Sequence, residues 1–275
     1  MRNCDKNQSA LGTANKNDPV KIIFFDVDGT LLKMGAREAA PAVLDALQQL
    51  KDSGVKLVLA TGRAPFKAPD IGGIEFDALI AYNGALVMDG DKVISMETIP
   101  ETAIERVVEN TDKIGRPMVL AMMDGFSANG CDAKLKDYFG IAHTPIAKDP
   151  VFEEKMKEPV FQIMASCTPD EWDRVMEGAD GAALTAWWNR AADIIPASCS
   201  KGNAVRSVLE YFSIPADQSM AFGDGLNDVP MLEAVGCGVA MENAGDEVKE
   251  KADATAPDVN VDGGALFLQQ SGLIR

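Results

Sequence analysis

The sequence predicts an α/β fold, a parallel sheet flanked by helices and interrupted by an α+β insert. Three observations predict it. The run Val20-Lys21-Ile22-Ile23-Phe24-Phe25 is apolar, β-branched and aromatic, and it ends in Asp26-Val27-Asp28-Gly29. That is a buried strand whose carboxyl end opens onto a turn. A helix pattern and a second strand follow directly, and a β-α-β order implies a parallel sheet with a right-handed crossover. Hairpins mixed with helices then fill the middle of the chain before the strand-helix alternation returns.

Each element has its own signal. Pro41 opens the first helix, and Val43, Leu44, Leu47 and Leu50 give it one apolar face. Gly54 closes it. Strands are expected at Val55 to Ala60, ending in Thr61-Gly62-Arg63, and at Ala78 to Tyr82, ending in Asn83-Gly84. Ala85 to Met88, the Asp89-Gly90 turn and Val93 to Ile99 read as a hairpin. Pro100 opens a helix, and Pro117 to Met123, Pro159 to Ser166 and Ala182 to Trp188 read as strands. The insert is placed at residues 86–189, inside a core made of residues 18–85 and 190–275. His143, Trp187 and Trp188 lie in that insert and are expected to serve packing. After Ile194-Ile195-Pro196 come a helix from Lys201 to Phe212, a strand from Gln218 to Phe222, a helix through Leu232 and a short strand, Gly238 to Met241. Closing helices are expected at Glu247 to Ala252 and Gly264 to Gln270. Residues 1–17, rich in Asn, Lys, Ser and Gln, are expected to form a disordered tail without a functional role.

Composition excludes several classes. With 275 residues, 47% of them apolar, a sizeable core is expected. The net charge of −16, from 42 acidic and 26 basic residues, argues against nucleic acid and anionic membranes as partners. It would also repel an anionic substrate at range, so a phosphate site would need local positive charge. The five cysteines are scattered with no Cys-x-x-Cys pair, which argues against zinc and a disulfide framework and for a reducing, cytoplasmic setting. His143 is the only histidine, which nearly removes His-based metal sites and Ser-His-Asp chemistry. No run reaches membrane-spanning length, and no apolar signal core is expected at the N-terminus.

Two carboxylates crowded at a strand end repel each other. A divalent cation between them, or a retained proton, would relieve Asp26 and Asp28. Three more polar clusters stand at strand ends or helix starts: Thr61-Gly62-Arg63, Ser200-Lys201-Gly202-Asn203 and Gly223-Asp224-Gly225-Leu226-Asn227-Asp228. Singly, each is also a plausible turn or helix cap. Together with Asp26-Val27-Asp28-Gly29-Thr30, and in this order, they resemble the four motifs of the haloacid-dehalogenase-like (HAD) superfamily. Asn83-Gly84-Ala85 and Ala240-Met241-Glu242-Asn243-Ala244 are similar to its Cof-type branch of sugar-phosphate and related phosphatases. Glu242 departs from the glycine usual there.

The resemblance implies a Rossmann-like parallel sheet core with an inserted α+β cap domain. It further implies a Mg²⁺-dependent phosphatase acting on a small phosphorylated metabolite through an aspartyl-phosphate. Asp26 would be the nucleophile and Asp28 the general acid and base. Asp26, the Asp28 backbone carbonyl and Asp224 would hold Mg²⁺, since hard oxygen ligands suit that ion. Thr61, Gly62, Lys201 and Asn227 would bind phosphate, Lys201 at a helix start that Ser200 caps. Asp228 would orient metal waters or Lys201. Arg63 reads equally as a substrate contact or a structural ion pair, and Asn83 and Gly84 are weaker substrate candidates. A phosphomutase and a non-catalytic phospho-ligand sensor are the rival functions, and a monomer or homodimer is expected.

Overall fold

The computed structural model describes residues 19–141, 144–185 and 189–275. The expected tail, His143, Trp187 and Trp188 lie outside the described residues. The chain opens with β1 (Ile22–Asp26), α1 (Pro41–Asp52), β2 (Lys56–Ala60), β3 (Ala78–Ala81), β4 (Leu86–Asp89) and β5 (Lys92–Met96). The middle runs α2 (Glu101–Lys113), β6 (Met118–Ala121), β7 (Phe126–Ala128), α3 (Ala133–Ile141), α4 (Phe152–Lys155), β8 (Gln162–Ala165), α5 (Trp172–Met176), β9 (Ala182–Thr185) and β10 (Ala192–Pro196). The last part runs α6 (Lys201–Phe212), β11 (Ser219–Gly223), α7 (Val229–Leu232), β12 (Cys237–Met241), α8 (Asp246–Lys251), β13 (Ala254–Ala256) and α9 (Gly263–Gln270).

Contacts divide the chain into two units. The first holds the described residues up to Gly62, Ala68–Ser95 and Ser200–Arg275. Its sheet has the order β13-β12-β11-β1-β2-β3-β4-β5, parallel from β13 through β3. Side chains alternate along a strand, so the two faces of β1 go to two cores. Ile23 and Phe25 pack with Val43, Leu47 and Leu50 of α1 and Phe267 of α9. Ile22 and Phe24 pack on the other face with Val205 and Val208 of α6. Coverage on both faces explains why the strands read as continuous apolar runs.

The second unit holds Arg63–Lys67 and Met96–Cys199. Its antiparallel sheet has the order β7-β6-β8-β10-β9. Met118, Leu120, Ile163, Ala165 and Ile194 bury one face against Ile104 and Val107 of α2 and Val175 of α5. Asn110 of α2 donates through Nδ2 to the Val175 and Glu177 carbonyls at 3.1 and 2.9 Å, tying the two helices together.

The insert boundaries differ from the expected 86–189. The hairpin of β4 and β5 belongs to the first sheet, because β4 pairs antiparallel with β3 and buries Leu86 and Val87 there. At the other end β10, beyond residue 189, pairs with β8 and β9 in the second sheet.

Candidate active site

The site is set by strand register. β1 is the point where the chain order of the parallel sheet reverses, with β2 on one side and β11 on the other. Ligands in open α/β sheets bind beyond the carboxyl ends at such a point. Asp26 pairs with Ala60, and Phe25 with Phe222. One step further along, Thr61 follows the end of β2, and Asp224 follows Gly223, the last residue of β11. Residues nearly 200 positions apart in sequence therefore emerge side by side.

Lys201 reaches the same place from α6. Ser200 is the N-cap, its hydroxyl accepting from the Asn203 amide at 3.1 Å. The Lys201 ammonium is wholly buried and donates to Asp26 Oδ1 at 2.5 Å, Asp228 Oδ1 at 2.6 Å and the Ala60 carbonyl at 3.3 Å. Burial alone would push its pKa down, but Asp228 and Asp26 outweigh that and hold it above the ordinary lysine value. Asp228 is in turn fixed by the Asp224 and Gly225 amides, which donate to its Oδ2 at 3.0 and 2.9 Å.

Asp26, Asp224 and Asp228 each place a carboxylate oxygen within 4.8 Å of the others. Burial raises the Asp26 pKa well above its usual range and the charge of Asp228 raises it further, while Lys201 opposes both. Burial and Asp228 push Asp224 up to about 6, against a hydrogen bond from Thr30. With all groups ionised, three carboxylates and one ammonium leave a formal deficit that a divalent cation would close. The donors are carboxylate oxygens, with no His or Cys in the cluster, which fits a hard cation. The residues present therefore fit a metal ion.

Other candidate residues fall into three groups. Asp28 is half-buried, and its charge contributes to the raised pKa of Asp224. Thr61 is buried, its amide bonded to the Ile80 carbonyl at 2.8 Å. A Cβ on Gly62 would come within 3.1 Å of the Asn83 amide, so this stretch of backbone lies tight against Asn83. Asn227 Nδ2 donates to Asn83 Oδ1 at 3.0 Å. Gly84, with φ +107°, runs so close to Ser200 that a Cβ would meet its carbonyl oxygen at 2.4 Å. Asn83 and Gly84 thus support Asn227 and the start of α6. Arg63 falls with the residues of the second unit.

Two residues were missed as site members from sequence. Thr30 Oγ1 donates to Asp224 Oδ1 at 3.0 Å. Asn243 Nδ2 donates to the Gly29 carbonyl at 2.9 Å and to Asp224 Oδ2 at 3.3 Å. Both lie inside quoted motifs, yet nothing in their spacing says which carboxylate they hold.

A family model described as haloacid dehalogenase-like hydrolase matches residues 23–268. The putative phosphatase YkrA of Bacillus subtilis is 32% identical over 259 residues, covering 93% of this chain and 99% of that protein. The 5-amino-6-(5-phospho-D-ribitylamino)uracil phosphatase YitU of the same species is 27% identical, covering 90% and 96%. The structure of the HAD subclass IIB sugar phosphatase BT4131 superposes with a TM-score of 0.84 at 26% identity, covering 92% of this chain and all of that one. With its motifs gathered at one end of the parallel sheet, and the match running almost end to end, the chain belongs to the haloacid dehalogenase-like hydrolases and is a phosphatase of their Cof-type branch.

Proposed function

We propose that this phosphatase is Mg²⁺-dependent and hydrolyses a phosphate monoester on a small polyhydroxylated metabolite, such as a sugar phosphate, through an aspartyl-phosphate on Asp26. The observation that carries the reading is the Lys201 ammonium bonded to Asp26 and Asp228, with Asp224 alongside, at the carboxyl end of β1. The substrate class is suggested by two similar proteins, one named for a sugar phosphate and one for a phosphorylated ribityl chain.

Phosphoryl transfer asks mainly for positioning and charge neutralisation. Lys201 holds Oδ1 of Asp26, which leaves Oδ2 as the attacking atom. Oδ2 attacks in line, the bond from phosphorus to the ester oxygen breaks, and Asp28 delivers a proton to the departing alkoxide. Asp28, now ionised, takes a proton from the water that attacks the aspartyl-phosphate, and inorganic phosphate leaves. The Thr61 hydroxyl, the Gly62 amide and the Asn227 amide bind the phosphoryl oxygens. Lys201, expected from sequence to bind phosphate directly, is buried with its three N–H groups on Asp26, Asp228 and the Ala60 carbonyl, and contributes its charge at short range instead. Asp26, Asp224 and the Asp28 carbonyl would hold Mg²⁺, which supplies charge neutralisation between nucleophile and substrate. Asp228 keeps Lys201 aimed at Asp26.

Asp26→Asn is expected to keep the fold and to abolish phosphate release from an aryl phosphate. Retained turnover would reject the nucleophile assignment. Hexose phosphates incubated with wild-type protein should yield free phosphate and the parent sugar. An isomeric phosphate in place of free phosphate would make the protein a mutase, and tight binding without turnover would make it a sensor.

A further inference from the structure

Asn243 lies just past β12 and touches three segments that are distant in sequence. Its Nδ2 donates to the Gly29 carbonyl at 2.9 Å and to Asp224 Oδ2 at 3.3 Å, and its Oδ1 accepts from the Val259 amide at 3.1 Å. Gly29 is in the loop that follows Asp26. Val259 lies between β13 and α9. On the other side of Asp224, Thr30 Oγ1 donates to Oδ1 at 3.0 Å. Each oxygen of Asp224 therefore receives one neutral donor, and Lys201 directs its bonds to Asp26 and Asp228 instead.

That division has a chemical consequence. A carboxylate oxygen accepts through two lone pairs, so one donor on each oxygen fixes the plane of the group and leaves room for an ion. A lysine in the place of Asn243 would orient Asp224 equally well but would cancel its charge and compete with a cation. An amide orients without neutralising. The same amide is bonded to Gly29, so Asn243 bridges Asp224 to the Asp26 loop, beside the direct bond that Thr30 of that loop makes to the other oxygen.

We propose that Asn243 is a positioning residue for the metal site: it sets the orientation of Asp224 relative to the nucleophile loop, and through that the affinity for the divalent cation. The proposal rests on the reading of Asp26 and Asp224 as metal ligands. Residues that hydrogen-bond metal-ligating carboxylates typically change affinity by about 10- to 100-fold when removed. Asn243→Ala should weaken cation binding by about that factor. Its rate should recover in excess Mg²⁺, with little change in KM for the phosphate ester once the cation saturates.

The test is calorimetric titration of Mg²⁺, without substrate, into wild type, Asn243→Ala, Asn243→Ser and Asp224→Asn, with melting curves recorded alongside. Serine is the second variant because it is small and leaves space for water at the Val259 amide. The expected result is weaker binding in both Asn243 variants, folded protein in each, and no measurable binding in Asp224→Asn. Asn243 variants that bind Mg²⁺ like wild type, while Asp224→Asn does not, would overturn the positioning role and leave the metal reading intact. Wild-type affinity in Asp224→Asn would overturn the metal reading itself. If both Asn243 variants fail to fold even in saturating Mg²⁺, Asn243 serves architecture and the proposal falls.

Discussion

Single residues at this site are constrained by distance as much as by chemistry. Gly29 has φ +88°, and a Cβ there would lie 2.2 Å from Asp224 Oδ2. Both facts forbid a side chain, the first through the left-handed backbone and the second through overlap with the carboxylate. Gly29→Ala is expected to displace Asp224 and remove the proposed Mg²⁺ binding, measured by calorimetry, while the core between α1 and β1 stays folded. Asp224 also gives the site a pH dependence. Its carboxyl is pushed up to about 6 by burial and by Asp228, and a cation binds only the ionised form. With Asp224 as a ligand of the proposed cation, affinity should weaken as pH falls below about 6, by about tenfold per unit for one competing proton, and the raised Asp26 carboxyl should add to the loss in the same direction. Titrations between pH 5 and 8 would check both the sign and the position of the bend.

At the scale of elements, the second unit carries a buried polar network with a stability signature of its own. Asp193 of β10 accepts from the Tyr138 hydroxyl of α3 at 2.7 Å and from the Gln162 side chain of β8. Burial nevertheless raises its pKa from 3.8 to about 6. A carboxyl raised in the folded state contributes stability below its unfolded pKa and loses it as pH rises through the folded value. Above about pH 6, ionised Asp193 is thus a cost, bounded at about 3 kcal/mol by the shift. Asp193→Asn should raise the melting temperature at pH 8 and leave it unchanged near pH 3.5. Gln162 Oε1, buried and without a hydrogen-bond partner among the described residues, would give the new amide an acceptor once the Gln162 amide turns over. Little of this was legible beforehand. The long apolar strands and the helices starting at Pro41, Pro100 and Ser200 were, because their periodicity or caps are local. β7 and β13 have three residues each, too few to show a period, and β10 carries Asp193 where an apolar residue would have signalled a strand. The hairpin of β4 and β5 was readable as a hairpin, but its partner, β3, was not, since pairing is a non-local choice. The same limit applied at the site. Asp26, Asp28, Thr61, Lys201 and Asp224 stood out through their motifs, whereas the grip of Thr30 and Asn243 on Asp224 depends on register across three strands.

The molecule as a whole is strongly acidic, with a net charge of −16, and its substrate would be an anion. Local neutralisation by Lys201, and by the proposed cation, would act only at short range. Screening should therefore help association, and kcat/KM for a phosphate ester should rise as ionic strength increases from about 0.01 to 0.15 M at fixed Mg²⁺. A falling rate would show that the field at the site mouth is positive despite the overall charge. Sheet topology has another consequence at this scale. β1 lies between β2, which follows it closely, and β11, which begins at Ser219. While the ribosome is still decoding the middle of the chain, one flank of this apolar strand has no hydrogen-bonding neighbour. The emerging polypeptide carries an adhesive β edge until β11 is made, and Asp26 can meet Asp224 only once the chain has been translated past β11.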